Sequence, residues 1–236
     1  MNNTILQLKV RQRLNKLSSN DFDNIECWQI VEAFNKGMVE WCRRNLRGKN
    51  PEQEGDEQST GRIDDLEKLL IYTPKLNLNN RQLFFETVND KPADYLRYKR
   101  FDANATTEDC NEPRRLNIYL GNESDLNILL DDSNKKPSFA WGETFGTFVN
   151  NKMRVYTNGE FDVQDFKLVY YRQPRKIEIN GCKDPYSGVI PTADVECEFT
   201  DDLTEVLIDE CVTVIAGDIE SLLQMKRNTE SVDKNG

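Results

Sequence analysis

The spacing of apolar residues places helices towards both ends of the chain and strands between them. Residues 4–17 show a modest helical pattern, and residues 25–47 repeat apolar side chains every three or four positions, which predicts a helix with one buried face. That face comprises Ile25, Trp28, Val31, Phe34, Met38 and Trp41. Truncation of Trp28 to alanine is therefore expected to cost about 3–5 kcal/mol of stability. A short third helix is expected over residues 63–71.

From about residue 82 the apolar period shortens to two, which predicts strands. The expected strands cover 82–88, 94–101, 144–149, 152–157 and 166–173, with a loop at 108–115 and a helical turn at 124–132. Asn150-Asn151 favours a hairpin, because asparagine accepts positive φ. Pro174 ends the last strand. This strand pairs with 152–157 in a meander, or Asn158-Gly159 forms its own tight hairpin; the sequence leaves both open.

The last element is a helix over residues 201–226 with apolar residues on more than half of its circumference. Two stripes share this apolar surface: Leu203, Leu207, Cys211 and Val214 form one, and Ile208, Val212, Ile215, Ile219 and Leu222 form the other. The remaining narrow face is mainly acidic. A helix of this kind must be covered from two sides, as in a packed bundle or a subunit interface.

These patterns predict an α+β protein in which a helical body carries a β-rich antiparallel insertion. The body comprises the two N-terminal helices and the long C-terminal helix, in residues 1–75 with 199–227, and the insertion spans 80–198. Residues 49–61 have no apolar side chain and predict a mobile acidic loop, to which no role is assigned. Residues 228–236 are a polar tail.

The charge and composition exclude several classes of function. The chain has 236 residues, no histidine and a formal net charge of −10. The lack of histidine excludes Ser-His-Asp and Cys-His catalysis. Nucleic-acid binders gain affinity from lysine and arginine on phosphates, so the negative charge disfavours that class. No apolar run approaches the ~20 residues of a membrane helix, and no signal peptide is expected.

The six cysteines have no paired metal-binding spacing, so free thiols in a reducing cytosol are expected. Cys42 and Cys211 fall in apolar stripes and predict inert core thiols, whereas Cys110 and Cys182 lie in polar segments.

Two other features of the sequence are candidate sites of chemistry. Acidic pairs occur at Asp64-Asp65, Asp131-Asp132, Asp201-Asp202 and Asp209-Glu210. Most stand at helix starts, where carboxylates stabilise free N–H groups. YLRYKRF (95–101) interleaves aromatic and basic residues, which fits base stacking and equally fits an ordinary alternating strand. No catalytic, cofactor-binding or metal-binding residue is assigned.

The order of elements over residues 4–227 resembles the head–tail connector proteins of tailed bacteriophages, also called neck, adaptor or ring proteins. The similarity is greatest to the ring proteins of crAss-like podophages. Three motifs carry it: Pro137-Ser138 before paired strands, a strand end from Tyr170 to Pro174, and Ile208 with Ile215-Ala216-Gly217-Asp218 in the final helix.

The resemblance implies a structural virion protein of the phage neck, assembled in the bacterial host cytoplasm, without enzymatic activity or cofactor. It implies a homo-oligomeric ring, a dodecamer, that joins the portal protein to adjacent ring or tail proteins. Genomic DNA would pass through without specific binding. The ring position, and whether the ring forms without the portal, stay open.

Candidate residues follow from the last helix. The candidate subunit or portal interface comprises Ile208, Val212, Ile215, Ile219, Leu222, Leu223, Met225, Lys226 and Arg227. The candidate acidic stripe facing the channel comprises Asp202, Glu205, Asp209 and Glu220. Two alternatives from other classes are a carboxylate-based, metal-dependent phosphoesterase or nuclease, and a monomeric cytosolic binding module.

Overall fold

The protein has an α+β structure, as expected, with packed helices and one large sheet. The structure is a computed structural model that describes residues 1–17, 25–46, 65–108 and 110–219. Its helices are α1 (Asn3–Leu17), α2 (Cys27–Leu46), α3 (Leu126–Asp131) and α4 (Asp201–Ile219). Its strands are β1 (Leu70–Tyr72), β2 (Leu78–Asn80), β3 (Phe84–Thr87), β4 (Tyr95–Thr107), β5 (Cys110–Leu120), β6 (Glu143–Val149), β7 (Lys152–Tyr156) and β8 (Asp162–Arg172). Within these described ranges, none of the helices has the length and apolar character needed to span a membrane.

The chain divides into two compact units, and the second is inserted into the first. The helical unit comprises residues 1–68 and 174–236, and the sheet unit comprises residues 69–173. The expected insertion, 80–198, has different boundaries: the sheet unit begins earlier, and residues 174–198 cluster with the helices.

In the helical unit, α4 packs against both α1 and α2, so the expected cover from two sides is confirmed for residues 201–219. Gly37 lies at this contact on α2, where a Cβ would stand at an ordinary contact distance, 3.4 Å, from the Cβ of Glu210. The buried face of α2 differs from the predicted one. It comprises Ile30, Ala33, Phe34, Gly37, Met38, Cys42 and Leu46, whereas Trp28, Val31 and Trp41 are only half-buried. Ile25, Phe34 and Met38 are buried as predicted. The prediction is wrong for the other three residues, because a pattern of large side chains does not register the small residues Ala33 and Gly37 on the buried face.

The sheet unit contains one eight-stranded sheet in the order β1-β8-β4-β5-β6-β7-β3-β2. Neighbouring strands are antiparallel except β5 and β6, which are parallel. The two edge strands, β1 and β2, are consecutive in sequence, and the residues between them bond to both ends of the sheet. Thr73 N donates to Leu168 O at 3.0 Å, and Val88 N donates to Asn77 O at 3.0 Å. The sheet therefore curves around an aromatic-rich core, which protects its edges.

Several expected elements are confirmed and others are wrong. The hairpin of β6 and β7 turns at Asn150 and Asn151, with φ of 50° and 64°. The sequence left open a meander and a tight hairpin at Asn158-Gly159 for the strand before Pro174, and both are wrong, because β8 pairs with β1 and β4 whereas β7 pairs with β3 and β6. Of the expected helix over 63–71, the structure describes residues 65–71, in which 65–67 are helical and β1 begins at Leu70.

The expected loop at 108–115 is also wrong, because β4 and β5 form a long antiparallel pair through most of it. Pro113 favours a loop, but it lies where the register of the strand pair is irregular, between the pairs Ala105↔Arg114 and Thr107↔Cys110. A hydrophobic pattern does not indicate such a strand, because its residues 112–115 are polar or proline and exposed.

Candidate interface surfaces

The apolar candidates on α4 lie inside the helical unit. Ile208 is fully buried, and Val212 and Ile215 are each 6% exposed. These three side chains therefore have a role within the chain. The side chain of Ile219, and Leu222, Leu223, Met225, Lys226 and Arg227, lie outside the residues whose side chains are described, so their assignment stays a prediction.

The acidic stripe on α4 faces cations of α1. Glu205 pairs with Lys9 and Arg13, and Arg13 also pairs with Asp209 at 2.6 Å. The hydrogen bond from Lys9, with the charges of Lys9 and Arg13, lowers the pKa of Glu205 below its ordinary value. Asp202 is exposed, whereas Glu220 lies outside the described residues. Two members of the stripe are thus already neutralised within the chain.

The other acidic pairs act largely as ordinary surface carboxylates. Asp201 accepts from the N-terminal amino group at 2.7 Å, which lowers the pKa of Asp201. Glu210 pairs with Arg44 at 2.5 Å, and Asp64 lies outside the described residues. Across the described ranges, no three potential metal-ligating side chains come together.

The aromatic residues of YLRYKRF turn towards the sheet core, away from a nucleic-acid platform. Tyr98 contacts Phe101 with ring centroids 4.8 Å apart, and Tyr95 stacks on Tyr170 at 5.7 Å. Arg100 points the other way and pairs with Asp102 at 3.0 Å. The strand separates its aromatic and basic side chains, so base stacking beside the cations is contradicted.

A disulfide corrects the expectation that all the cysteines are free thiols. Cys27, at the start of α2, is bonded to Cys182, which is 155 residues further along the chain. No sequence spacing reveals such a distant pair. Cys42 and Cys211 are buried free thiols, as expected, and burial raises the pKa of each to about 12. Neither thiol is a nucleophile at neutral pH.

The helical unit has an open groove on the side of α2 opposite α4. Its volume is about 620 Å³, and α2 forms one wall while residues 176–191 form the other. The apolar lining comprises Trp28, Val31, Val39, Ile177, Ile179, Val189 and Pro191. Asn35 fixes the two walls together, since its amide exchanges hydrogen bonds of 3.2 and 2.9 Å with the backbone of Ile177.

The sheet unit presents a tryptophan on a rigid turn. Trp141 is 81% exposed. Ser138 and Glu143 exchange backbone hydrogen bonds of 2.9 and 3.1 Å around it, and Gly142 N donates to Phe139 O at 3.1 Å. Gly142 has φ of +67°, a conformation that favours glycine. The Pro137-Ser138 motif therefore begins a turn whose hydrogen bonds hold a large apolar side chain in solvent.

A polar network that no local sequence pattern predicts connects a helical turn to the sheet. Glu123 accepts hydrogen bonds from Thr147 at 2.7 Å and from Tyr156 at 3.0 Å, and it pairs with Arg154 at 3.2 Å. Arg154 also pairs with Glu86 at 2.8 Å. The residues come from distant segments, so no local pattern predicts them.

The chain matches no family in a scan of known protein families, and a search of curated proteins found no significant relative.

Proposed function

We propose that this protein is a structural subunit of a phage neck, in which copies form a ring, expected to be a dodecamer, between the portal and the tail. Element order and motifs that resemble connector proteins support the proposal. A helical body interrupted by a sheet-rich insertion is also consistent with that resemblance.

The observation that carries the proposal is the set of large apolar side chains held exposed by ordered structure. Trp141 on its hydrogen-bonded turn is the strongest of them, and Leu8 and Ile128 are 68% and 67% exposed. Tryptophan is enriched among the residues that dominate protein interfaces. Exposed anchors of this kind favour a subunit that associates over a monomeric module.

Native mass spectrometry of the purified protein, alone and with the portal protein of the same genome, tests this function. We expect a ring of identical subunits, or a complex in which this chain is bound to the portal in a fixed ratio. Trp141→Ser should reduce assembly while the circular dichroism spectrum stays unchanged. Asn134→Ser, at an exposed polar site of the sheet unit, is the control. A monomer that binds no portal would contradict the proposal.

A further inference from the structure

Residues 180–194 form a loop whose base is fixed to two helices of the helical unit. At the base, Glu178 and Val195 form an isolated antiparallel bridge. Asn3 of α1 donates to Glu178 O at 2.8 Å and to Val195 O at 3.3 Å. Asn35 of α2 exchanges hydrogen bonds with the backbone just before the bridge. The base therefore stays in place without any contact from the tip of the loop.

Beyond its base, the loop bonds to itself. Gly181 N donates to Pro191 O at 3.0 Å, and Asp184 N donates to Val189 O at 3.0 Å. Between residues that the structure describes, the hydrogen bonds of the loop all lie within 179–194. The loop thus keeps its own shape without hydrogen bonds to α2, so other contacts must hold it there.

A covalent bond and a ring contact connect the loop to the first turn of α2. Cys182 is disulfide-bonded to Cys27, and the ring of Tyr186 meets the ring of Trp28 edge-on, with centroids 6.0 Å apart. Tyr186 is 78% exposed, so this contact buries little apolar surface. Residues 183–190 include no buried side chain. The disulfide therefore contributes most to holding the loop against the helix.

We propose that the Cys27–Cys182 bond is a redox-sensitive latch on the loop 180–194. In the oxidised protein the bond holds the loop against α2, and reduction releases the loop while its base stays in place. Val189 and Pro191 of the loop line the groove beside α2, so release opens that wall and uncovers Trp28.

The latch itself requires no second copy and no partner protein, so it does not depend on the proposed function. Its timing does rest on that function. A reducing host cytoplasm would keep the loop free during assembly, and oxidising surroundings would fix it against α2 afterwards.

The releasing reaction is an exchange between the disulfide and an external dithiol. Cys27 is half-buried whereas Cys182 is 6% exposed, so a thiolate of the dithiol attacks Cys27 Sγ and the Cys182 thiolate leaves. The second thiolate of the dithiol then breaks this mixed disulfide, and Cys27 leaves as a thiolate. Two electrons and two protons pass to the protein, which gains two thiols, and the dithiol becomes a disulfide. An oxidised dithiol reverses the reaction.

Limited trypsin digestion of the full-length protein, with and without dithiothreitol, tests the latch. Lys183 lies in the loop next to Cys182 and is exposed. A loop held in place resists cleavage, because the protease must open several residues around the site. Reduction should therefore speed cleavage after Lys183, measured by mass spectrometry, at least about tenfold. Cys27→Ser with Cys182→Ser should be cleaved at the higher rate in both conditions.

A matched control separates release of the loop from a general loss of stability. Phe34→Ala destabilises the helical unit by a similar amount and keeps the disulfide. Cleavage after Lys36, within α2, reports on unfolding of the helix. In oxidised Phe34→Ala, cleavage after Lys183 should rise no more than cleavage after Lys36. In the reduced wild type it should rise more.

Tyr186→Ala tests the ring contact. Its oxidised form should be cleaved after Lys183 at nearly the wild-type rate, because the disulfide still holds the loop. Its reduced form should be cleaved faster than the reduced wild type. If Phe34→Ala does not fold, hydrogen exchange of the wild type replaces it, and reduction should speed exchange more in 181–191 than in α2.

Three results would overturn the inference. One is an equal rate of cleavage after Lys183 in the oxidised and the reduced wild type, since the bond would then not hold the loop. Another is an equal increase after Lys183 and Lys36 on reduction, because the loop would then open only with the whole unit. The third is full alkylation of Cys27 and Cys182 after treatment with oxidised dithiothreitol. These measurements use the isolated chain, so a missing ring and a missing latch are distinguishable.

Discussion

The helical unit and the sheet unit differ in charge and in what holds each together. The helical unit has nine more acidic than basic residues, whereas the sheet unit has fifteen acidic and fourteen basic residues. The negative charge of the chain is thus concentrated in one unit. We therefore expect electrostatic repulsion of DNA from the helical unit and little from the sheet unit.

The means of stabilisation differ as well. The helical unit combines an aliphatic core with a disulfide between distant segments. The sheet unit relies on backbone ladders and on aromatic contacts such as Phe101 with Phe166, 5.2 Å between centroids. Each unit has its own core, so we expect a core change to act first on the unit that contains it.

The largest expected effect comes from the core of the helical unit. Phe34 is fully buried on α2, so Phe34→Ala should lower the free energy of unfolding by about 3–5 kcal/mol. Trp28→Ala should cost less than the sequence pattern predicts, because Trp28 is half-buried at the groove. Urea unfolding measures both variants, and hydrogen exchange locates the effect. An increase in exchange that is equal in α2, β4 and β8 would contradict this, because it would show that the two units unfold together.

Loss of the disulfide should have the next largest effect, again in the helical unit. Cys27 and Cys182 close a loop of 155 residues, and removal of such a bond costs about 2–5 kcal/mol. The double variant Cys27→Ser, Cys182→Ser should unfold at lower urea concentration than the oxidised wild type. Dithiothreitol should lower the midpoint of the wild type and leave the double variant unchanged. A midpoint insensitive to the reductant would contradict the pairing.

Local rules predicted the elements whose determinants lie close together in sequence. Asn150-Asn151 and the apolar alternation around it specify the β6–β7 hairpin, and helical spacing locates α1, α2 and α4. The partners of β8 were not predictable in this way, because β1 and β4 are distant in sequence. The short pattern at Leu70–Tyr72 was also ambiguous between a helix end and a strand.

The candidate interface surfaces were likewise predictable only where their determinants are local in sequence. Two apolar stripes correctly indicated a helix covered from two sides, but a stripe does not say whether the cover is another subunit or the same chain. Ile208 and Val212 are covered by the chain itself. The groove beside α2 escaped prediction because its walls, α2 and residues 176–191, meet only in the folded unit.

The third prediction compares the effect of an alanine at one glycine of each unit, Gly146 in the sheet unit and Gly37 in the helical unit. A Cβ on Gly146 of β6 would lie 2.8 Å from both the Arg154 carbonyl oxygen and the Phe101 ring. Gly146→Ala should therefore cost about 1–3 kcal/mol in the sheet unit, as overpacking does. Gly37→Ala on α2 meets ordinary contact distances and gains helix propensity, so its stability should stay within about 1 kcal/mol of the wild type. Thermal unfolding measures both, and a reversed order would contradict the packing at these sites.

The smallest expected effect is electrostatic and confined to the helical unit. Glu205 is 33% exposed beside Lys9 and Arg13, so solvent screens the pair, and Glu205→Gln should lose at most about 1 kcal/mol at pH 7. Glu40→Gln, on the exposed side of α2, is the matched control and should change stability less.

The pH dependence of this effect has a definite sign. The folded-state pKa of Glu205 is lowered from its ordinary value of 4.5, chiefly by the hydrogen bond from Lys9. The stabilisation is then fully present above pH 4.5 and is lost as the pH falls through the lower, folded-state pKa. Urea unfolding should show a constant difference in unfolding free energy between wild type and Glu205→Gln from neutral pH down to pH 4.5. Below pH 4.5 this difference should shrink. High salt should also reduce the difference at neutral pH. A difference that grows on acidification would mean that Glu205 is stabilised in its protonated form, contrary to its pairing with two cations.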